Sequence, residues 1–319
     1  MSGSVRALLL ALAVAALPFA AVAKDKVRLV DSQPTVYDHF ALYQAKAEGY
    51  FDQENLDVEV SVGRGGSAAL QIVATGTADV VYGAGLLSVV SAHAKGAPVT
   101  ILSNARRGAG DAFWYVKKDS PLKTCKDLDG RDFTYSAPGS FTNMLVKTIS
   151  KELKINPKLV QTGTMSSSRT MMMSGQTDTA WTGFPANMDV IRSGEARIVC
   201  SGDDSVLMKG LSSRGISANS DWLAKNRDVA MRLMRALWKG QLYNFSGEKA
   251  LRRYAEHWKL DYEEVKDVGK FFALDDVRYG MPGKFDELLK LGQEYDFLKQ
   301  PLTPEQRQKV VTIVFESPK

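Results

Sequence analysis

The sequence predicts an α/β protein of two lobes, each a mostly parallel sheet flanked by helices, with further helices at the C-terminus. Three observations carry this. Short β-branched runs alternate with longer helical patterns from Lys26 onward, the alternation starts again after about Leu122, and one short motif recurs at identical spacing in both halves.

The chain opens with a charged start, Met1 to Arg6, then an apolar run from Ala7 to Leu17, then Pro18 and the pattern Ala21-Val22-Ala23. That order marks a cleaved export leader over residues 1–23, with a mature, periplasmic chain beginning at Lys24. The apolar run falls well short of the ~20 residues that span a bilayer, which argues against a membrane anchor. No cysteine sits at the cleavage point to receive a lipid. Removing 23 residues from 319 leaves 296, enough for two lobes with cores of their own.

In the first lobe, strands are expected at Val27–Val30, Leu56–Val62, Ala78–Tyr82 and Val99–Leu102, with helices at Phe40–Gly49, Ser67–Thr75 and Leu86–Lys95 between them. Ala112–Lys117 reads as a further strand, and Lys118–Leu122, with its proline, as a crossover. Strands at Asp132–Tyr135, Leu159–Gln161, Thr177–Trp181 and Ala196–Val199 then alternate with helices at Ser140–Leu153, Ser168–Met173 and Pro185–Arg192. Leu211–Ser217 reads as a strand returning to the first lobe. Amphipathic helices follow at Val229–Phe245, Glu248–Trp258, Phe285–Tyr295 and Pro304–Val314. The lobes are thus expected at 24–117 with 211–319, and at 118–210. Two crossovers between two open sheets are what a hinge needs.

The recurring motif is GSAALQIVATGTADVVYG, Gly66 to Gly83, against MSSSRTMMMSGQTDTAWTG, Met165 to Gly183. Ser67, Gly76, Asp79 and Tyr82 correspond to Ser166, Gly175, Asp178 and Trp181. Physically this is a helix opened by small hydroxyl residues, closed at a glycine free to take positive φ, and followed by a strand ending in an aromatic. Ligands of open parallel sheets bind beyond the carboxyl ends of strands and near helix N-termini.

Composition excludes several function classes. The net charge of +5 and pI near 9.0 come from lysines and arginines dispersed among acids, with no basic stripe for nucleic acid. The two cysteines, Cys125 and Cys200, can form one disulfide in an oxidising compartment or stay free, and their spacing does not decide. His39, His93 and His257 lack ligand spacing, so no metal site is expected. Met171, Met172 and Met173 point about 100° apart on a helix and cannot converge on one ion. Gly63 to Leu70 (GRGGSAAL) lacks both the Gly-Lys-Ser/Thr ending and the G-x-G-x-x-G fingerprint, so no nucleotide cofactor is implied.

What remains suits reversible binding. Tyr37, Asp38, His39 and Phe40 lie where the first strand meets the first helix, able to cap that helix or face a solute. No nucleophile or partner acid is spaced to His39 for catalysis. Ser67 and Ser140 each open a helix, and Ser140, Phe141, Thr142 and Asn143 offer hydrogen bonds without charge. Tyr82 with Gly83, and Trp181, Thr182 and Phe184, end strands. Trp181 and Trp114 either stack on a planar solute or fill the core. Among Arg106, Arg107 and Arg214, able to clamp a carboxylate bidentately, Arg214 is favoured because it lies in the return strand.

The stretch YDHFALYQAKAEGYFDQENLDVEV, then GRGGSAALQIVATGTADVVYGAG, then SPLKTCKDLDGRDF resembles the ABC-transporter solute-binding proteins of the sulfonate, taurine, nitrate and thiamine-pyrimidine type. The resemblance runs from about Val27 to Trp258. It implies a type II periplasmic-binding fold, a solute held between lobes, an ABC permease and ATPase in the inner membrane as partners, a monomer, and no turnover. It carries the cleft onto Tyr37 to Phe40, Ser67, Tyr82 with Gly83, Ser140 to Asn143, and Trp181 to Phe184. One branch of that superfamily is an enzyme that builds the thiamine pyrimidine from its own histidine and pyridoxal phosphate, and it carries a cysteine-rich cluster. This chain has two distant cysteines and an export leader. A sensor that presents its ligand to a membrane receptor fits the leader equally well.

Overall fold

Apolar β-branched runs become strands here, and where such a run is covered on both faces it lies at the centre of a sheet. The computed structural model describes residues 23–318, so the expected leader lies, but for its last residue, outside the described residues. β1 (Asp25–Asp31), β2 (Leu56–Val62), β3 (Val80–Gly85) and β4 (Val99–Arg107) run parallel to one another. They form a five-stranded sheet with the late strand Ser212–Asn219, in the order β2-β1-β3-(Ser212–Asn219)-β4. That late strand pairs antiparallel with both β3 and β4. Every residue of β3 and of the late strand is buried, as their central places require.

The second half repeats the plan. β5 (Ala112–Lys117) runs antiparallel between β8 (Ala180–Gly183) and β9 (Ala196–Ser201), while β6 (Asp132–Tyr135) pairs parallel with β7 (Lys158–Gln161). The return strand Ser212–Asn219, here β10, therefore plays in the first sheet the part that β5 plays in the second. Both are insertions that run against their neighbours, so the sheets are mixed. Helices flank them, as expected.

One boundary differs from the sequence reading. Ala112–Lys117 was placed in the first lobe, with the crossover after it at Lys118–Leu122, yet β5 belongs to the second sheet. All but the last of its residues are buried, so it can only be a central strand, and the gap between β8 and β9 is the central place open to it. The first crossing consequently lies at Gly108 to Asp111, turned by Gly108 at φ +74°.

The recurring motif folds alike in both halves. The helices Gly66–Ala74 and Met165–Met173 lead into β3 and β8, with Gly76 and Gly175 at φ +75° and +81° behind them. Asp79 Oδ2 accepts the Arg28 N–H of β1 at 2.8 Å, and Asp178 Oδ2 accepts the Asp132 N–H of β6 at 3.0 Å. Asp79 thus fastens the loop before β3 to β1 of the same sheet, and Asp178 fastens the loop before β8 to β6 of the neighbouring two-stranded sheet.

The helix Arg227–Asn244 packs on Ala41–Ala47, where Gly240 lies so near the Ala41 carbonyl that a Cβ would stand 2.1 Å from it. The last helix ends at Lys309 rather than near Val314. Ile101 N donates to Val310 O at 2.9 Å and Thr312 N to Ile101 O at 2.8 Å, so the chain leaves the helix to edge β4. Cys125 and Cys200 are joined in a disulfide, their Cα atoms 4.7 Å apart, tying the approach to β6 to β9.

Candidate functional site

Between the two sheets lies a narrow, nearly closed cleft of about 20 Å³, lined by Ser67, Gly83, Ser140, Phe141, Thr142 and Arg214 among the residues singled out from sequence. Larger open hollows exist, such as one of about 350 Å³ beside Asp286, Lys290 and Arg307, but they lie on the outer surface against C-terminal segments. The cleft is where elements of both sheets meet. Ser88 donates its hydroxyl to the Gly139 carbonyl, and a Cβ on Gly85 would stand 3.1 Å from the Phe141 nitrogen. A side chain at position 85 would therefore push the second sheet's helix away.

The first wall is the start of the helix Gly66–Ala74. Its N-cap is Gly65 at φ +94°, with no capping side chain, so the first N–H groups of the helix carry no side-chain acceptor. Ser67 was expected to open this helix, yet its buried Oγ has no partner. The opposite wall is the start of Phe141–Leu153. There Ser140 accepts the Asn143 N–H at 3.2 Å, and Ser136, Ser140 and Thr142 hydroxyls lie 2.8–3.1 Å from one another. Ser140 is thus both a helix cap and part of the cleft lining. Asn143 turns back instead, accepting the Gly139 N–H at 3.2 Å.

The floor is charged. Arg214 of β10 donates Nη2 to Asp111 Oδ2 at 2.6 Å, its Nε is unpaired, and its guanidinium lies 5.4 Å from the Phe141 ring centre. Arg106 places Nε 3.5 Å from the other oxygen of Asp111 and donates Nη2 to the Phe271 carbonyl at 2.6 Å. Asp111 is fully buried. Burial pushes its carboxyl up, but the Arg214 and Arg106 guanidiniums outweigh that and hold it below the usual carboxylate range. Burial likewise works against the charge of Arg214, while Asp111 and then Asp38 raise its pKa.

Behind the floor sits the loop from Asp31 to Phe40. His39 Nδ1 is 2.6 Å from Asp31 Oδ1, and the ring lies against Gly83 so closely that a Cβ there would meet His39 Cε1 at 2.0 Å. Gly83 itself has φ +83°, so position 83 demands glycine twice over. Asp38 is fully buried with neither carboxylate oxygen paired. Tyr82 is buried too, its hydroxyl 3.1 Å from that of Tyr279 and 3.2 Å from the Asp38 carbonyl.

The remaining sequence-derived residues are core. Tyr37 bonds the Asn244 carbonyl and packs edge-on against Tyr254, and Phe40 lies between Tyr43 and Tyr254. Trp114 donates Nε1 to the Thr134 carbonyl at 2.7 Å and packs on Phe133 at 4.7 Å. Trp181 donates Nε1 to Thr162 Oγ1 at 3.1 Å. Both indoles are enclosed in the core. Thr182 closes a turn to the Ala186 carbonyl at 2.9 Å, and Phe184 stacks on Phe271 at 4.2 Å. Sequence reasoning missed Gln33, Gly85, Ser88 and Ser136 in the lining, and Asp111 behind it. Only Ser136, three residues before the Gly139-Ser140 helix start, carried a usable signal.

Among the described residues no helix is long and apolar enough to cross a membrane. The grouping Cys125, Cys200 and Asp204 meets the spacing of a metal site, but both sulfurs are spent in the disulfide.

Comparison with known proteins agrees with this architecture. The structure is similar to the periplasmic aliphatic sulphonate binding protein SsuA from Escherichia coli, with a TM-score of 0.72 at 15% identity, covering 92% of this chain and 94% of that one. It therefore has the two-lobed fold of periplasmic binding proteins. A putative binding protein, YtlA of Bacillus subtilis, is 23% identical over 68% of this chain, which spans 65% of the length of YtlA. The 4-amino-5-hydroxymethyl-2-methylpyrimidine phosphate synthase THI11 of Saccharomyces cerevisiae is 24% identical over 42% of this chain and 38% of its own length. The family model described as NMT1/THI5 like matches residues 36–247, about two thirds of the chain and all of the cleft but Gln33, and on that match the chain belongs to the NMT1/THI5-like family.

Proposed function

We propose that this chain is the extracytoplasmic solute-binding component of an ABC importer, capturing a small organic oxyanion between two lobes and releasing it to a permease served by an ATPase. The carrying observation is convergence of donors: two helix starts from opposite sheets face one cleft, with the Ser67 hydroxyl and the Arg214 Nε–H unpaired beside them. The similarity to SsuA, an aliphatic sulphonate binding protein, lends support.

In this reading the lobes are 24–107 with 211–319, and 112–201, hinged at Gly108 to Asp111 and across Gly202 to Gly210. The protein works as a monomer in the periplasm, after removal of residues 1–23. No residue is assigned a catalytic role. The likeness to the yeast synthase is partial, and His39 lies behind Gly83 rather than in the cleft. The test is a thermal-shift screen of the mature protein against sulfonates, carboxylates and pyrimidines. A ligand at 100 times its Kd should stabilise by about 2.7 kcal/mol. Stabilisation by uncharged compounds alone would contradict the oxyanion assignment.

A further inference from the structure

We propose that Asp111 is a specificity-determining residue of the cleft: acting through Arg214, its carboxylate sets the charge of the site so that singly charged oxyanions are accepted and dianions rejected. This rests on the oxyanion reading above and adds what limits the charge of the solute.

Arg214 is the one cationic side chain lining the cleft, and it is not a free charge. Asp111 takes its Nη2 at 2.6 Å while standing 3.5 Å from Arg106 Nε, so one carboxylate serves two buried guanidiniums. The second buried carboxylate near Arg214 is Asp38, fully enclosed and unpaired. Among the groups that pair directly, two buried guanidiniums, Arg106 and Arg214, face one buried carboxylate, Asp111, which leaves one net positive charge, 2 − 1 = 1. Asp276 touches Arg106 at 3.9 Å from the solvent side, half-exposed and screened. The Asp31–His39 pair lies beyond Gly83.

An anion entering this site thus meets these donors and a single net positive charge. Helix N-termini, the Ser67 hydroxyl and Arg214 Nε–H suit one negative charge spread over several oxygens. A second negative charge would be enclosed with no countercharge, and burying an uncompensated charge is costly. Asp111 imposes that balance from the crossover, without touching the solute.

The experiment is calorimetric titration at pH 8 with methanesulfonate and with methyl phosphate, a dianion at that pH. The wild type should prefer the sulfonate. Asp111→Asn keeps an acceptor for Arg214 but removes one negative charge, so the preference should shift toward the phosphate by on the order of tenfold. The double variant Arg106→Gln with Asp111→Asn returns the count to one and should restore the original preference, which a merely structural role for Asp111 would not do. Should Asp111→Asn fail to fold, Arg106→Gln removes one positive charge and should shift the ratio the opposite way, further toward the sulfonate. A wild type that binds both anions equally, or a ratio unmoved in the variants, overturns the proposal. A wild type that binds neither overturns the oxyanion reading beneath it.

Discussion

Trp181 donates its indole N–H to the Thr162 hydroxyl at 3.1 Å and is almost wholly buried, so this residue of β8 is a beam of the second sheet rather than a wall of the cleft. Replacing Trp181 with alanine should therefore cost about 3–5 kcal/mol of stability, as for other buried tryptophans. Affinity of the folded fraction should hold within about twofold, a change of under ~0.5 kcal/mol. Melting curves and titration of the same preparation separate the two. A large loss of affinity with an unchanged midpoint would put the indole back in the cleft.

Ser67 leads to the opposite expectation. Its unpaired hydroxyl lies at the helix start that faces Arg214, so Ser67→Asp places a carboxylate where the solute's anion belongs. The loss should be at least about tenfold in affinity, ~1.4 kcal/mol. Acids are favourable in the first turn of a helix, so the melting midpoint should be kept. Unchanged affinity would move the anion elsewhere in the cleft.

The disulfide joins residues 75 apart in sequence. Closing so long a loop restricts the unfolded chain, and its loss should cost about 2–4 kcal/mol. The Cys125→Ser and Cys200→Ser double variant, or the reduced wild type, should melt several degrees lower while binding normally. The bond ties the segment before β6 to β9, and neither cysteine lines the cleft. An unchanged midpoint would show that the link adds nothing.

Acid should expose the Asp111 pairing. Its carboxyl is held below the usual carboxylate range in the folded protein because Arg214 and Arg106 outweigh its burial. A carboxylate with a depressed folded pKa stabilises fully above its unfolded value, about 3.9, and loses that contribution as the pH falls through the folded one. Denaturant titrations below about pH 4 should show a shallower decline for Asp111→Asn than for the wild type. Parallel acid limbs would deny the charged pairing.

Much of the fold was legible because strand runs and helix periods are local signals. The motif linking Ser67, Gly76 and Asp79 to Ser166, Gly175 and Asp178 pointed to two equivalent units, and Asp79 and Asp178 each accept a backbone N–H from a neighbouring strand, β1 and β6. The sheet that β5 would enter was not legible, since AFWYV states that a strand is buried without stating beside what. Trp114 and Trp181 are ambiguous in the sequence for a related reason: an aromatic in a strand satisfies a core and a cleft equally until its neighbours are known. Asp111 gave no signal at all, because its partners stand 5 and 103 positions away and only the fold brings both to it.

The central claim, that the cleft between the sheets holds an oxyanion through Arg214, is tested most directly by calorimetric titration of the mature wild type and Arg214→Gln with the best oxyanion from the thermal-shift screen. The account predicts one site per chain in the wild type and a loss of at least about tenfold in the variant, equivalent to ~1.4 kcal/mol. Equal affinities in two folded proteins would contradict it.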